Sequence, residues 1–187
     1  MWISIFDAVF IFISAALYSA MEIELEGKHG WCQKLPTAKK VLFDFSLYHV
    51  YMILFVFIMM SIIFLPRFAI ACSNSEFTPW SAVCHFAFYV LIWFLVEDFL
   101  WFVLNPYFTI QKYKKEYISW HKTWIVGIPL HNVLGIVTLC VLAVCDATPN
   151  LWISMFISTV LCILVTMAAP MYHKFYNKLH LRSHVIN

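Results

Sequence analysis

Apolar residues fill five long stretches of the chain, and short polar segments separate them. The stretches cover residues 2–21, 41–65, 80–104, 124–145 and 151–171. A helix that crosses a membrane needs about 20 apolar residues, whereas strands of a membrane β-barrel alternate polar and apolar positions over about ten residues. The pattern therefore predicts an all-α integral membrane protein, with five transmembrane helices forming one domain over residues 1–187.

Prolines and turn residues refine the ends of these stretches. Pro66 predicts the end of the second stretch, and the pair Asn105–Pro106 predicts the end of the third. Pro129 and Pro170 fall inside the fourth and fifth stretches, where a proline kinks a helix and frees a backbone carbonyl. Residues 172–187 form a basic tail, which we expect to lie as a short amphipathic helix on the membrane surface.

The basic residues predict the orientation of the bundle. Every Lys and Arg except Arg67 falls in the loop after the first stretch, the loop after the third stretch, or the tail. Five crossings place these three segments on one side, and segments rich in Lys and Arg stay in the cytoplasm. We therefore expect the N-terminus outside and the C-terminus in the cytoplasm, in a plasma (inner) membrane.

Composition excludes a soluble protein and changes little else. Hydrophobic residues make up 63% of the chain and charged residues 12%, against roughly 45–50% and about 25% in soluble domains. The net charge of +2 does not indicate a nucleic-acid partner. Cys72 and Cys84 both fall near the outer surface, so they can form a disulfide or remain as two free thiols.

The few ionisable residues inside the stretches fall at one depth. His49 lies eight residues beyond position 41, Glu97 eight residues before position 105, and His131 seven residues beyond position 124. At the helical rise these counts correspond to about 10–12 Å from the cytoplasmic ends. Charged groups within a membrane usually face the bundle interior. The coincidence predicts a polar chamber in the cytoplasmic half.

Imidazoles and carboxylates at one depth favour a metal site, because they are the usual ligands of zinc, iron, manganese and copper. The catalytic candidates are Glu97, Asp98, His49 and His131. The candidate metal ligands are His49, His131, Glu97, His121 and Glu22, and His29 lies in the loop below them. A bound metal can activate water to attack a lipid or other amphiphilic substrate that enters from the bilayer.

The same residues also allow chemistry without a metal. A carboxylate desolvated in a membrane chamber can exchange a proton, and a nearby histidine can relay it. Aromatic residues can stabilise a cationic intermediate by cation–π contact, among them Trp93, Trp101, Trp120 and Trp124. In composition the chain is similar to the emopamil-binding-protein family of small sterol isomerases. That resemblance implies isomerisation or cyclisation of a sterol or isoprenoid.

Three further alternatives remain open. His49 and His131 can be paired axial ligands of a haem, and Gly127 and Gly135 beside His131 leave room for it. An intramembrane carboxylate and histidine also suit a proton-coupled carrier. Five spans cannot form an even inverted repeat in one chain, which argues against a carrier, although a homo-oligomer such as a dimer could supply the repeat. In a structural membrane subunit, the charges simply pair with one another.

Overall fold

Five α-helices make up most of the computed structural model, which describes residues 2–30, 40–42, 45–74, 78–146 and 149–183. The helices are α1 (Trp2–Glu26), α2 (Leu47–Ser73), α3 (Pro79–Leu104), α4 (Leu130–Cys145) and α5 (Asn150–Ser183). Two short antiparallel hairpins accompany them: β1 (Lys40–Leu42) pairs with β2 (Phe45–Ser46), and β3 (Trp124–Ile125) pairs with β4 (Ile128–Pro129).

Four of these helices can cross a membrane by length and composition, namely α1, α2, α3 and α5. α4 is equally apolar but has only 16 residues. Large apolar side chains cover the outside of the bundle; Ile62 and Phe156, for example, are each 70% exposed. Such a surface suits hydrocarbon rather than water, so the chain has the architecture of a multi-pass membrane protein.

The ends of α3 agree with the sequence prediction. The side chain of Thr78 accepts a hydrogen bond from the backbone N–H of Ser81, and Pro79 occupies the first turn of the helix. Both features stabilise a helix start. The helix ends at Leu104, directly before Asn105 and Pro106, because proline disfavours helical backbone at the residue before it.

The fourth predicted span is wrong at its start. Residues 124–129 form the β3–β4 hairpin, and α4 begins only at Leu130. Gly127 has φ of 78°, which a turn tolerates and a helix does not. Pro129 therefore precedes the helix instead of kinking it.

Other predicted boundaries are also wrong. α1 continues to Glu26, and α2 begins only at Leu47, after the β1–β2 hairpin, instead of at residue 41. α2 continues through Pro66 to Ser73, and α5 continues through Pro170 to Ser183. A proline removes one backbone donor, and a membrane helix tolerates this loss because adjacent groups satisfy the freed carbonyl. Up to Ser183, the tail is thus an extension of α5 and not a separate surface helix. Cys72 and Cys84 are free thiols.

α3 is the central helix and packs against each of the other four. Its side chains Phe88, Tyr89, Trp93 and Leu100 are almost completely buried. Among the described residues, α4 and α5 make little direct contact with each other, so a groove runs between them along α3. We call it the α4–α5 groove.

One end of the bundle is held by buried polar contacts. Arg67 forms an ion pair with Asp7, and the hydroxyl of Tyr89 donates to Asp7 Oδ2 over 3.2 Å. His85 Nε2 lies 3.0 Å from Asp146 Oδ2. These contacts connect α1, α2, α3 and the end of α4. Each buried polar group needs a partner in a nonpolar environment, and here the partners lie on different helices. The opposite end, where α1 and α3 finish, contains the predicted site residues.

Candidate metal centre

The β3–β4 hairpin brings two histidines from a loop and a helix together. The backbone N–H of Leu130 donates to the carbonyl of Thr123 over 2.9 Å, which closes the hairpin. The indole of Trp124 donates to the carbonyl of His121 over 2.8 Å and fixes the chain before the hairpin. His131 follows the hairpin directly, in the first turn of α4. The two imidazole rings lie with their centroids 4.5 Å apart.

Asp98 of α3 completes a group of three potential metal ligands. One ligand atom each from Asp98, His121 and His131 lies within 4.8 Å of the other two. His131 Nε2 is 3.6 Å from Asp98 Oδ2. We call these residues the His/Asp cluster. Two imidazoles and one carboxylate form a ligand set that proteins use for zinc and for non-haem iron.

Asn132 and Tyr113 hold Asp98 in place. The Nδ2 group of Asn132 donates to Asp98 Oδ2 over 2.9 Å and to Tyr113 Oη over 2.7 Å. A carboxylate can only accept, so the nitrogen of the amide must face Asp98. Metal-binding carboxylates are commonly oriented by such neighbouring donors.

Burial keeps His121 in the form that can bind a metal. Burial lowers the pKa of the His121 imidazole. The negative charge of Asp98 acts in the opposite direction and raises this pKa, whereas nearby His131 lowers it further. A neutral imidazole has one nitrogen lone pair for coordination. His121 Nε2 is buried and has no hydrogen-bond partner in the described part of the chain. His131 is different, because its side chain is 52% exposed and leaves one side of the cluster open.

A second polar group lies next to the His/Asp cluster, between α1, α2 and α3. The hydroxyl of Tyr48 donates to Glu22 Oε1 over 2.6 Å, and the buried carboxyl groups of Glu22 and Glu97 line the same cavity. His49 Nδ1 lies 2.8 Å from the hydroxyl oxygen of Ser46. We call Glu22, Tyr48, His49 and Glu97 the carboxyl pocket. A cavity of about 60 Å³ is lined by Glu22, His49 and Glu97, and also by Asp98 of the His/Asp cluster.

The predicted single chamber thus becomes two adjoining groups. Asp98, His131 and His121 come together in the His/Asp cluster, whereas Glu22, His49 and Glu97 belong to the carboxyl pocket. Asp98 also lines the cavity of the carboxyl pocket beside Glu97, so the two groups adjoin at these consecutive residues. His29 lies half-buried in the turn after α1.

A similar depth along their helices does not bring His49 and His131 together. His49 and His131 lie in the first turns of α2 and α4, at the same end of the bundle. They belong to different groups, so the imidazole beside His131 is that of His121. Gly127 forms the hairpin turn, and Gly135 allows the close approach of Leu95.

Sequence reasoning missed Asn132 and Tyr113. Asn132 is an amide inside the fourth predicted stretch, next to His131, and a polar residue in such an apolar run is a usable signal. Tyr113 lies in a polar loop, where a tyrosine does not stand out.

Comparisons of the chain with protein-family models, with curated proteins and with solved structures find no match. The geometry of the His/Asp cluster and of the carboxyl pocket is therefore the basis for a function.

Proposed function

We propose that the protein is a multi-pass membrane enzyme whose His/Asp cluster binds a transition metal ion and acts on a lipid or other amphiphilic substrate. One observation carries the proposal: Asp98, His121 and His131 place three ligand atoms within 4.8 Å of one another. Three protein ligands leave coordination positions for water and substrate, as in catalytic sites and unlike closed structural sites. Zinc, iron, manganese and copper all accept these ligands.

The chemistry divides between the ion and the chain. A bound ion of this kind supplies an activated water molecule near neutral pH. Asn132 orients the Asp98 carboxylate, and the exposed side of His131 admits the substrate. Burial raises the pKa of the Tyr113 hydroxyl, which therefore keeps its proton and can donate to a substrate oxygen.

The location of the cluster supports an amphiphilic substrate. It lies where α3 approaches its end and α4 begins, beside helices whose surfaces suit hydrocarbon. With five crossings and an external N-terminus, this end lies in the cytoplasmic half of the plasma (inner) membrane. The head groups of membrane lipids lie near this end of the bundle, so we expect lipids to be the partners.

Metal analysis tests the proposal. Protein purified in detergent is analysed for metals by plasma mass spectrometry, and its visible spectrum is recorded. We expect about one equivalent of a transition metal, and its loss in His121→Ala, His131→Ala and Asp98→Asn. His49→Ala and His180→Ala serve as controls that keep the metal. Turnover of a lipid panel by the metal-loaded enzyme, abolished in the same three variants, completes the test.

Two results would overturn it. A folded, monodisperse protein that takes up none of the four metals on titration excludes the metal centre. A Soret band would assign a haem instead.

The carboxyl pocket supports a second candidate function, a metal-free acid–base isomerase or cyclase. Two buried carboxyl groups that line one cavity, those of Glu22 and Glu97, cannot easily both be charged, so one of them keeps a proton that it can donate. Trp101 and Trp120 also line the cavity and can stabilise a cation. Turnover of a sterol or isoprenoid that survives chelation but is lost in Glu97→Gln would favour this function over the metal enzyme.

A further inference from the structure

Carboxyl groups from two helices meet at the small cavity of the carboxyl pocket. Glu22, Glu97 and Asp98 line it, together with Glu26, and no lysine or arginine of the described ranges does so. Glu22 is 8% exposed and Glu97 is 6% exposed. Buried charges in proteins are paired or bind metal ions, because an isolated charge is strongly disfavoured away from water. The cavity therefore favours a positively charged occupant.

Glu97 is the residue whose charge is least compensated. Its Oε1 atom is buried and has no hydrogen-bond partner in the part of the chain that the structure describes. Glu22 differs, because its Oε1 accepts from the hydroxyl of Tyr48 over 2.6 Å. A buried acceptor without a donor is costly, and more so when it is charged. A proton on Glu22 or Glu97 offsets one negative charge, whereas a divalent cation offsets two.

The size of the cavity indicates which kind of ion fits. A water molecule needs about 10–15 Å³, so the cavity of about 60 Å³ holds roughly four such particles. Among the described residues, only the His/Asp cluster brings three ligand atoms within 4.8 Å of one another. The wider spacing in the carboxyl pocket suits an ion that keeps part of its water. Mg²⁺ is such an ion, since one or two carboxylates and several waters usually bind it, and Mn²⁺ takes the same oxygen ligands.

Asp98 connects this cavity with the His/Asp cluster. Its Oδ2 lies 3.6 Å from His131 Nε2 and accepts a hydrogen bond from Asn132, and the same residue lines the cavity. This arrangement leaves Oδ1 as the oxygen that an ion in the cavity can use. Two-metal catalytic sites commonly hold their ions about 3.5–4 Å apart, a distance that one carboxylate can bridge with its two oxygens.

We propose that the carboxyl pocket binds a second divalent cation, Mg²⁺ or Mn²⁺, through Glu22 and Glu97, and that Asp98 is shared between this ion and the ion of the His/Asp cluster. The sharing of Asp98 rests on the proposed function, whereas the site at Glu22 and Glu97 does not. The active site of the proposed enzyme then holds two ions, which together can stabilise the attacking and the leaving group of a displacement.

Manganese titration tests the second site. The purified full-length protein is loaded with zinc in an uncharged detergent and titrated with Mn²⁺, and the paramagnetic resonance signal of free Mn²⁺ is recorded. We expect about one bound Mn²⁺ per chain, displaced by excess Mg²⁺, and binding at least tenfold weaker in Glu97→Gln. The matched control is Glu24→Gln, because the side chain of Glu24 is 55% exposed and does not line the cavity. It should bind Mn²⁺ like wild type.

Thermal melting separates lost binding from lost folding. Without divalent ions, Glu97→Gln should melt close to wild type, since glutamine keeps a polar group of the same shape. Mg²⁺ should raise the melting temperature of wild type and leave that of Glu97→Gln unchanged, because an ion stabilises only the folded state that binds it. If Glu97→Gln does not fold, Glu22→Gln gives the same test, since a glutamine oxygen still accepts from Tyr48.

Cobalt tests whether Asp98 is shared. Co²⁺ in the His/Asp cluster gives visible absorption bands that depend on its ligands. Addition of Mg²⁺ should shift these bands in wild type and not in Glu97→Gln. Asp98→Asn should weaken the binding of both ions. Cobalt bands that Mg²⁺ does not move in wild type, although Mn²⁺ binds, overturn the sharing of Asp98.

The outcomes also separate this inference from the proposed function. Folded wild-type protein that binds zinc but no Mn²⁺ overturns the inference and leaves the His/Asp cluster as a single metal centre; a proton then occupies the carboxyl pocket. Equal Mn²⁺ binding by Glu97→Gln and Glu24→Gln overturns it as well, because the ion then lies elsewhere. Mn²⁺ binding that is lost in Glu97→Gln, by a protein that takes up no transition metal at His121 and His131, supports the second site and overturns the proposed function.

Discussion

The imidazole rings of His121 and His131 lie 4.5 Å apart, centroid to centroid, although ten positions separate the two residues in the chain. The β3–β4 hairpin produces this contact, because its turn reverses the chain between them. The arrangement of the candidate metal ligands therefore depends on the β3–β4 hairpin, which contains none of these ligands.

Replacement of Gly127 tests this dependence. Gly127 has φ of 78°, and a Cβ atom there would meet nothing within 4 Å, so only backbone strain opposes a larger residue. We expect Gly127→Val to strain the turn and weaken metal binding at least tenfold. Gly127→Asn should bind nearly as well as wild type, because asparagine tolerates positive φ. Calorimetric titration with zinc measures both. Equal affinity for the two variants would contradict the role of the turn.

Asn132 should tune the metal affinity without abolishing it. Removing the donor from Asp98 in Asn132→Ala leaves the three ligands present but less well oriented. Such changes typically cost about 10–100-fold in metal affinity. Thr138→Ala is the control on the same helix, because its hydroxyl donates only to the carbonyl of Leu134. A zinc titration that gives the same affinity for Asn132→Ala and wild type would refute this role.

Acid should destabilise the metal-free protein through His121. Burial lowers the pKa of this residue, so at mildly acidic pH the unfolded chain binds a proton there that the folded chain does not. Stability from this source is complete above the ordinary value of about 6.5 and is lost progressively as the pH falls below it. We expect the melting temperature to fall less steeply between about pH 7 and pH 5 in His121→Gln than in wild type. Identical slopes would exclude the effect.

Glu97 should tolerate a neutral isostere better than truncation. Its carboxyl group is buried and lines the same cavity as that of Glu22. Glu97→Gln keeps a polar group of the same shape, so we expect its melting temperature to stay close to that of wild type. Glu97→Ala leaves Glu22 without this partner and opens a cavity, at a cost of about 2–4 kcal/mol. If both variants melt together, the carboxyl contact contributes little to stability.

The helices that carry strong end signals are the ones that sequence reasoning places best. α3 matches its prediction because Thr78–Pro79 and Asn105–Pro106 mark both ends. The start of α4 was misplaced because residues 124–129 are as apolar as a helix in this chain. Hydropathy cannot distinguish an apolar hairpin from a span, although Gly127 and Pro129 together favour a turn.

For the site, the sequence predicts which residues take part better than it predicts which of them lie together. Asp98, His121 and His131 all stand out as ionisable residues near one end of the predicted spans. Depth along a helix does not show which neighbouring element a side chain faces, so counting does not predict that Asp98 lies beside His131. The distance between His121 and His131 depends on a hairpin that the sequence analysis did not anticipate.

The shortness of α4 has a consequence for the surrounding lipid. Its 16 residues span about 24 Å, whereas the hydrocarbon core of a bilayer is about 30 Å thick. A helix with this hydrophobic mismatch makes the bilayer thin around it. Because His131 lies in the first turn of α4, thinning draws lipid head groups and water towards the cluster. For the proposed enzyme, this thinning would bring the head group of a lipid substrate closer to the His/Asp cluster.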